Sequence, residues 1–336
     1  MDFDIINHKM ELENIQTLLF LKNENIAYLS GFSPSSFSMV LFTEEPILFA
    51  SKMDLEEANI ISKIPVEEFK SFKEIKTLLK KDGIKTVGLE CSVSLGTCKN
   101  LRGDWKIVIS DTVNQLRMIK TPQEVKYIEK AISIAEISIK SLKLQGKEWE
   151  VANQINHHMK SNGSQKEAFD TIVASGTRSS LPHAEPSENK VEDNVLIDWG
   201  AKWNGYCSDC TRTSVSTEKQ EEIREIVLES QKAGINAIAP GVLASEVDKI
   251  VRDVIFDYGY GKNFIHSTGH GVGLEVHEEP SLSLKSDSKL EKNMVVTVEP
   301  GIYFEGEFGV RIEDMVLVKK NPKILTKLPS KFNFEC

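Results

Sequence analysis

Acidic residues inside apolar, strand-like runs constrain this chain more than any other feature. Between residues 194 and 318, Asp198, Asp209, His270, Glu299 and Glu313 each sit in a short segment that reads as a strand or a glycine-rich turn. A carboxylate in an apolar strand is costly unless it is paired or binds a cation, so the fold must supply partners for each of them. Residues 195–201 form a strand carrying Asp198. Residues 206–215 return past Asn204-Gly205, the strongest two-residue signal for a hairpin turn. That turn sets Asp198 opposite Thr211 and Asp209 opposite Gly200. Side chains alternate along a strand, so Asp198 and Asp209 share a face. Diagonal neighbours of this kind stand less than about 7–8 Å apart at Cβ, a gap that one or two ions fill. Without a cation the pair repels and is desolvated, which raises a carboxyl pKa. An exposed pair on a solvated hairpin would avoid that cost, but Val195, Leu196, Ile197 and Trp199 argue for burial.

The other candidates follow the same pattern. His270 lies between Gly269 and Gly271 in a segment that also holds His266 and His277, so three of the chain's seven histidines fall within twelve residues. Glycines allow close backbone approach. They weaken the ordinary reading of a core histidine for His270 and His277 more than for His266. Residues 294–299 read as a strand ending in Glu299 before Pro300-Gly301, and residues 309–318 as one strand with Arg311 and Glu313 on a common face. Glu313 could pair with Arg311, which would leave Glu299 unexplained. Four carboxylates and one imidazole make a hard donor set suited to two divalent ions such as manganese or cobalt. A thiolate zinc site would look different. The five cysteines, Cys91, Cys98, Cys207, Cys210 and Cys336, are too scattered for a disulfide framework. Cys207 and Cys210 read as packing residues beside Asp209. Upstream, an apolar strand at 169–174 runs into a polar loop ending in Pro182-His183, where a lone histidine is ordinarily solvated. His157 and His158 lie on a helix and read as surface residues.

Residues 1–115 read as a separate α/β unit. Residues 39–42 and 47–50 flank Thr43-Glu44-Glu45-Pro46 as a hairpin, residues 53–62 and 72–80 are helical, and 86–89 and 106–109 are strand candidates. This part has no cluster of histidines or paired carboxylates and reads as a cover, a specificity wall or a dimer surface. Thr121-Pro122 with Glu124 opens a helix that extends to about residue 144, and residues 148–162, 218–239 and 244–258 are helical too. A formal net charge of −9 argues against a nucleic-acid binder. No apolar run is long enough to span a bilayer, and the first residues lack the basic start of a signal peptide, so the expected location is cytoplasmic.

Residues 117 onward resemble the pita-bread metallopeptidases, in the branch of prolidases and Xaa-Pro aminopeptidases. The resemblance rests on Ala174-Ser175-Gly176 through Pro182-His183, Ile197-Asp198-Trp199-Gly200-Ala201, Ser208-Asp209-Cys210-Thr211-Arg212-Thr213, Gly269-His270-Gly271-Val272-Gly273-Leu274 with His277-Glu278, Val298-Glu299-Pro300-Gly301-Ile302-Tyr303, and Gly309-Val310-Arg311-Ile312-Glu313-Asp314. Residues 1–115 are similar to the smaller N-terminal domain of that branch, through Ala27-Tyr28-Leu29-Ser30-Gly31-Phe32. The implied fold is α+β, a C-terminal pita-bread domain at 116–336 behind a smaller α/β domain. By position, Asp209 and Glu313 would bridge two metal ions, Asp198 would complete one ion's ligands, and His270 with Glu299 the other's. His183 and His277 match substrate-contacting histidines, and Arg311 an arginine beside the last ligand.

The activity implied is hydrolysis of the Xaa-Pro imide bond by a hydroxide bridging the two ions, with Glu299 as proton shuttle and His277 and His183 at the carbonyl oxygen. A homodimer is implied in the same way. Dipeptides are the first expectation for substrate. Some prolidases have an arginine just after their His-Glu-x-Pro motif, where this chain has Ser281 with Lys285 the nearest basic residue. That difference keeps an Xaa-Pro aminopeptidase of longer peptides as the alternative. A catalytically inactive binding protein on the same fold is a third reading.

Overall fold

The polar turn at Thr43-Glu44-Glu45 closes the first hairpin, with Phe42 paired to Pro46 and Val40 to Leu48. The computed structural model describes residues 3–140, 142–192, 194–332 and 334, in two units, Met1–Arg117 and Met118–Cys336. Cys336 and Ser141 therefore lie outside the described residues.

In the first unit the chain runs α1 (Asp4–Glu13), β1 (Thr17–Phe20), α2 (Asn23–Ser30), β2 (Ser38–Phe42), β3 (Pro46–Ala50), α3 (Leu55–Ile61), β4 (Val66–Glu68), α4 (Phe72–Lys81), β5 (Thr86–Leu89), α5 (Leu95–Leu101), β6 (Lys106–Ile109) and α6 (Thr112–Met118). The strands form one mixed sheet in the order β4-β3-β2-β1-β5-β6. Every residue of β1 and β2 is buried, as expected of central strands covered on both faces. Helix α4 shows the logic of the covering helices. Ser71 caps it by accepting from Glu74 N, Ile75 and Leu79 face the sheet four residues apart, and Lys80 and Lys81 sit at its C-terminal end.

The second unit opens with α7 (Pro122–Lys140) and α8 (Glu148–Ser161), followed by β7 (Ile172–Ser175), β8 (Val195–Trp199), β9 (Lys202–Trp203), β10 (Tyr206–Cys207) and β11 (Cys210–Ser214). Helices α9 (Glu218–Ala237) and α10 (Ala244–Asp257) pack on each other, and Gly234 meets Val251 where a Cβ would lie 2.4 Å from its Cγ2. The rest is strand: β12 (Gly269–Gly271), β13 (Glu278–Leu282), β14 (Val295–Val298), β15 (Gly301–Phe304), β16 (Phe308–Arg311), β17 (Asp314–Leu317) and β18 (Lys323–Ile324). They make a three-stranded sheet β11-β8-β7, a five-stranded sheet β13-β12-β14-β17-β18, and two hairpins, β9-β10 and β15-β16. Trp199, fully buried, fixes the first sheet to α7 through Nε1, which donates to Ala135 O at 2.9 Å. His158 is half-buried, its Nδ1 3.0 Å from Ser138 O, so it is less of a surface residue than its helical position suggests.

The hairpin register is the expected one. Asp198 pairs with Thr211 and Trp203 with Tyr206, and Asn204 and Gly205 have φ of 46° and 81°, both left-handed as a type I′ turn requires. The ladder is not continuous, however. It stops at Ser208-Asp209, where a Cβ on Gly200 would lie 2.0 Å from Ser208 O. The expected single strand at 309–318 is also two strands. β16 pairs with β15 and β17 with β14, so the chain changes sheets at Ile312-Glu313. Ile312 N donates to Pro300 O at 3.4 Å and Glu313 N to Thr211 O at 3.1 Å. These two gaps put Asp209 and Glu313 at the crossing of the two sheets.

Candidate metal centre

Of the acidic candidates, Asp198 lies within β8, and the other three sit where a strand ends or breaks. Asp209 occupies the gap between β10 and β11, its N–H directed at Met315 Sδ, 3.2 Å away. Glu313 occupies the gap between β16 and β17, and Glu299 follows the last residue of β14, with its N–H on Thr268 O at 2.8 Å. His270 is the middle residue of β12, its N–H donating to Thr297 Oγ1 at 3.1 Å. At such positions the side chain can leave the regular face of a sheet.

Among the described residues, one group of side chains is close enough to share an ion: donor atoms of Asp209, His270 and Glu313 all lie within 4.8 Å of one another. His270 Nε2 is 3.7 Å from Asp209 Oδ2 and 3.2 Å from Glu299 Oε1. Thr211 joins the group by donating from Oγ1 to Glu313 Oε2 at 2.8 Å. Asp198 is tied to Arg311, whose Nη2 donates to Oδ2 at 2.7 Å. Arg311 therefore pairs with Asp198 across the sheets, not with Glu313, its neighbour in sequence. Its other donors reach Thr211 Oγ1, Tyr303 OH and the Pro182 carbonyl at 3.1, 2.9 and 3.1 Å.

Burial pushes the pKa of Asp209 well above the usual carboxylate range, and the charges of Glu313, Asp198 and Glu299 push the same way. Glu313 is raised well above its ordinary value by burial and by Glu299 and Asp198. Asp198 is raised by burial, against the pull of Arg311. Burial would raise Glu299 too, but its bond to His270 outweighs this and holds it at about 2. Conversely, burial would lower His270, and Glu299 raises it. Oδ1 of Asp198 and Oε1 of Glu313 are buried with no hydrogen-bond partner. Orphaned acceptors beside mutually repelling carboxylates are what a cation would satisfy, and the oxygen-rich set suits a hard divalent ion.

The two remaining histidines stand at the rim. His277 is exposed, its ring edge-on to that of His270 with centroids 4.4 Å apart. His183 is exposed in the loop after β7, lining an open depression of about 690 Å³ with Arg178 and Leu181. His266 is more engaged than its sequence context suggests: its Nε2 is 3.0 Å from Tyr303 OH, which also receives Arg311 Nη1. Sequence reasoning missed Thr211 and Tyr303 as site residues. A signal for Thr211 existed, since the hairpin register places it opposite Asp198.

The model of metallopeptidase family M24 matches residues 126–320, and that of the creatinase/prolidase N-terminal domain matches residues 5–119. The chain belongs to metallopeptidase family M24. It is 44% identical to the Xaa-Pro dipeptidase of Pyrococcus horikoshii, over 96% of this chain and 98% of that one. The structure of the prolidase from Pyrococcus furiosus matches with a TM-score of 0.89 at 42% identity, covering 96% of this chain and 99% of that chain. That of the X-Pro aminopeptidase from Thermotoga maritima MSB8 matches with a TM-score of 0.91 at 36% identity, covering 99% of each. The protein is thus an M24 peptidase, with a pita-bread domain that follows a smaller α/β domain in sequence.

In this M24 peptidase the segment preceding His277 is firmly held. Cys207 N donates to Gly273 O at 2.7 Å, Lys202 Nζ to Leu274 O at 2.9 Å and Glu275 N to Glu278 Oε1 at 3.2 Å. Lys120 Nζ donates to Glu278 Oε2 at 3.1 Å, an ion pair whose side chains are 1% and 6% exposed. Breaking a buried pair by removing one partner costs about 3–5 kcal/mol, because a charge is left uncompensated. Lys120→Met is expected to lower stability by that order in urea unfolding. Adding Glu278→Gln should recover part of the loss; two losses that simply add would sink this account of the pair.

Proposed function

We propose that this chain is a metal-dependent Xaa-Pro dipeptidase, with residues 116–336 as its catalytic domain. The observation that carries the reading is the cluster of Asp209, His270 and Glu313, with the orphaned oxygens of Asp198 and Glu313, in a chain similar over nearly its whole length to an Xaa-Pro dipeptidase. Asp209 and Glu313 would each serve two divalent ions, manganese or cobalt. Asp198 would complete one ion's ligands, and His270 with Glu299 the other's. Bound there, such ions supply the Lewis acidity that makes water a nucleophile near neutral pH.

The chain's own groups supply the rest. Glu299, at the edge of the cluster, takes the proton released as water adds to the carbonyl carbon before proline, and delivers it to the proline nitrogen as the C–N bond breaks. His277 and His183 stand to stabilise the charge that develops on the carbonyl oxygen. Arg311 holds Asp198 in place by donating from Nη2 to its Oδ2. Proline at the bond removes the amide N–H, so a pocket that demands no such donor favours the imide.

A second reading, an Xaa-Pro aminopeptidase, is favoured by one observation. Ser281, where a carboxylate-anchoring cation would be sought, is a small residue whose N–H donates to Glu279 Oε2 at 3.0 Å, and Lys285 is exposed. The proposal includes a cytoplasmic homodimer; no helix among the described residues is long and apolar enough to cross a membrane. The deciding experiment depletes the protein of metal, reloads it with manganese or cobalt, and compares Ala-Pro with Ala-Pro-Pro and longer Xaa-Pro peptides. Turnover of Ala-Pro alone is expected. Turnover mainly of the longer peptides would replace dipeptidase with aminopeptidase, and two bound metals without turnover of either would overturn the peptidase mechanism.

A further inference from the structure

Glu148, the first residue of α8, has a fully buried side chain, yet it contacts no member of the candidate metal centre. Its partners lie at both ends of one loop. Oε1 accepts from Ser175 N at 2.8 Å. Oε2 accepts from Arg178 Nε at 2.9 Å, Ser187 N at 2.9 Å and Ser187 Oγ at 2.7 Å. Arg178 also donates from Nη2 to Glu185 O at 2.5 Å. The loop so gathered, residues 176–187, carries Pro182 and His183. Inside it, Ser179 Oγ receives Asn194 Nδ2 at 2.6 Å and Gly309 N at 2.9 Å. The Pro182 carbonyl receives Arg311 Nη1 at 3.1 Å.

A polar loop of this length over a protein surface is ordinarily mobile. Here one carboxylate, stabilised by charge-assisted bonds and by the start of its own helix, closes the loop onto the sheet. Four donors converge on it, three from the loop and one from Ser175 at the end of β7, and the loop's middle meets the arginine that holds Asp198. We propose that Glu148 is a positioning residue of the peptidase, setting the conformation of residues 176–187 and so the place where His183 meets the substrate. The inference rests on the reading of His183 as a substrate contact.

The test is a pair of double-mutant cycles on the metal-loaded full chain, following Ala-Pro hydrolysis and metal content. Glu148→Gln and Ser187→Ala are each made alone and combined with His183→Ala. A misplaced reacting group costs up to about a hundredfold, so Glu148→Gln is expected to lower kcat/KM by roughly ten- to a hundredfold with two metals still bound. Ser187→Ala, which removes one donor of four, should cost less. Both losses should vanish in the His183→Ala background, where there is no imidazole left to position. Losses that multiply with that of His183→Ala would overturn the proposal while leaving the role of His183 standing. Full activity of His183→Ala alone would overturn that role, and the proposal with it. Should Glu148→Gln not fold, the Ser187→Ala cycle decides by the same criterion.

Discussion

Asp209→Asn is expected to remove Ala-Pro hydrolysis by about 10³-fold or more, the scale on which lost charge stabilisation at a reacting centre is felt, and at the same time to make the chelated protein more stable. The two effects have one cause. Asp209 is buried, and Glu313, Asp198 and Glu299 all repel its charge. Without metal that repulsion opposes folding, and a neutral amide relieves it. With metal the sign reverses, because an ion that binds only the folded state stabilises it by mass action, and the variant loses a ligand.

The pH dependence follows the same signs. Asp209 and Glu313 have folded pKa values raised above their ordinary 3.8 and 4.5, so they bind protons more tightly when folded. Their contribution in the chelated protein is present below those ordinary values and is lost as pH rises through the raised ones. Glu299, at about 2, contributes in the opposite sense, above 4.5, and its share is lost as pH falls from 4.5 toward 2. Chelated protein is therefore expected to lose stability as pH climbs from about 4, and Asp209→Asn to flatten that fall. Urea unfolding with chelator at several pH values checks it. A chelated variant less stable than the parent at neutral pH would contradict the repulsion.

Arg212→Met is expected to unfold the second unit at markedly lower denaturant, at a cost of about 3–5 kcal/mol. Arg212 is 0% exposed, and its guanidinium makes five hydrogen bonds. Nη2 donates to Asp314 Oδ1 at 2.7 Å and Leu328 O at 2.6 Å, Nη1 to Glu313 O at 2.6 Å and Thr211 O at 2.9 Å, and Nε to Pro329 O at 2.9 Å. Methionine fills much of the space and satisfies none of these acceptors. Asp314 keeps Gln231 Nε2 at 3.0 Å and Thr326 Oγ1 at 2.5 Å, but loses its counter-charge. The Arg212→Met, Asp314→Asn double variant should lie closer to the parent than the single one, since no buried charge is left alone. Chemical unfolding of the three proteins measures this, and an unshifted midpoint for Arg212→Met would refute it.

Local chemistry carried much of the centre. Asn204-Gly205 settles the pairing of Asp198 with Thr211, and carboxylates in apolar runs mark Asp198, Glu299 and Glu313 without any knowledge of the fold. What was illegible depends on partners far along the chain. Residues 309–318 look like one strand because their apolar pattern has no break. The change of sheet at Glu313 comes from β15 on one side and β14 on the other. Arg311 looks like a partner for Glu313 two residues on, whereas its carboxylate partner, Asp198, is 113 residues away. Glu148 reads as an ordinary acid in a first helical turn. The donors that make it a hub lie 27 to 39 residues later, at the end of β7 and in the loop after it, which has no periodicity.

The gaps at Asp209 and Glu313 also bear on how the molecule comes to be active. Helices α9 and α10 and the Asn204-Gly205 hairpin rest on close neighbours in sequence and can form early. The centre is closed by bonds spanning 102 residues from Thr211 to Glu313, 113 from Asp198 to Arg311 and 116 from Arg212 to Leu328. Such closures meet their entropic cost before their contacts repay it, and so they come late. Helix and hairpin would accordingly precede the meeting of the acids that make up the centre. Catalysis is then the last property the second unit acquires.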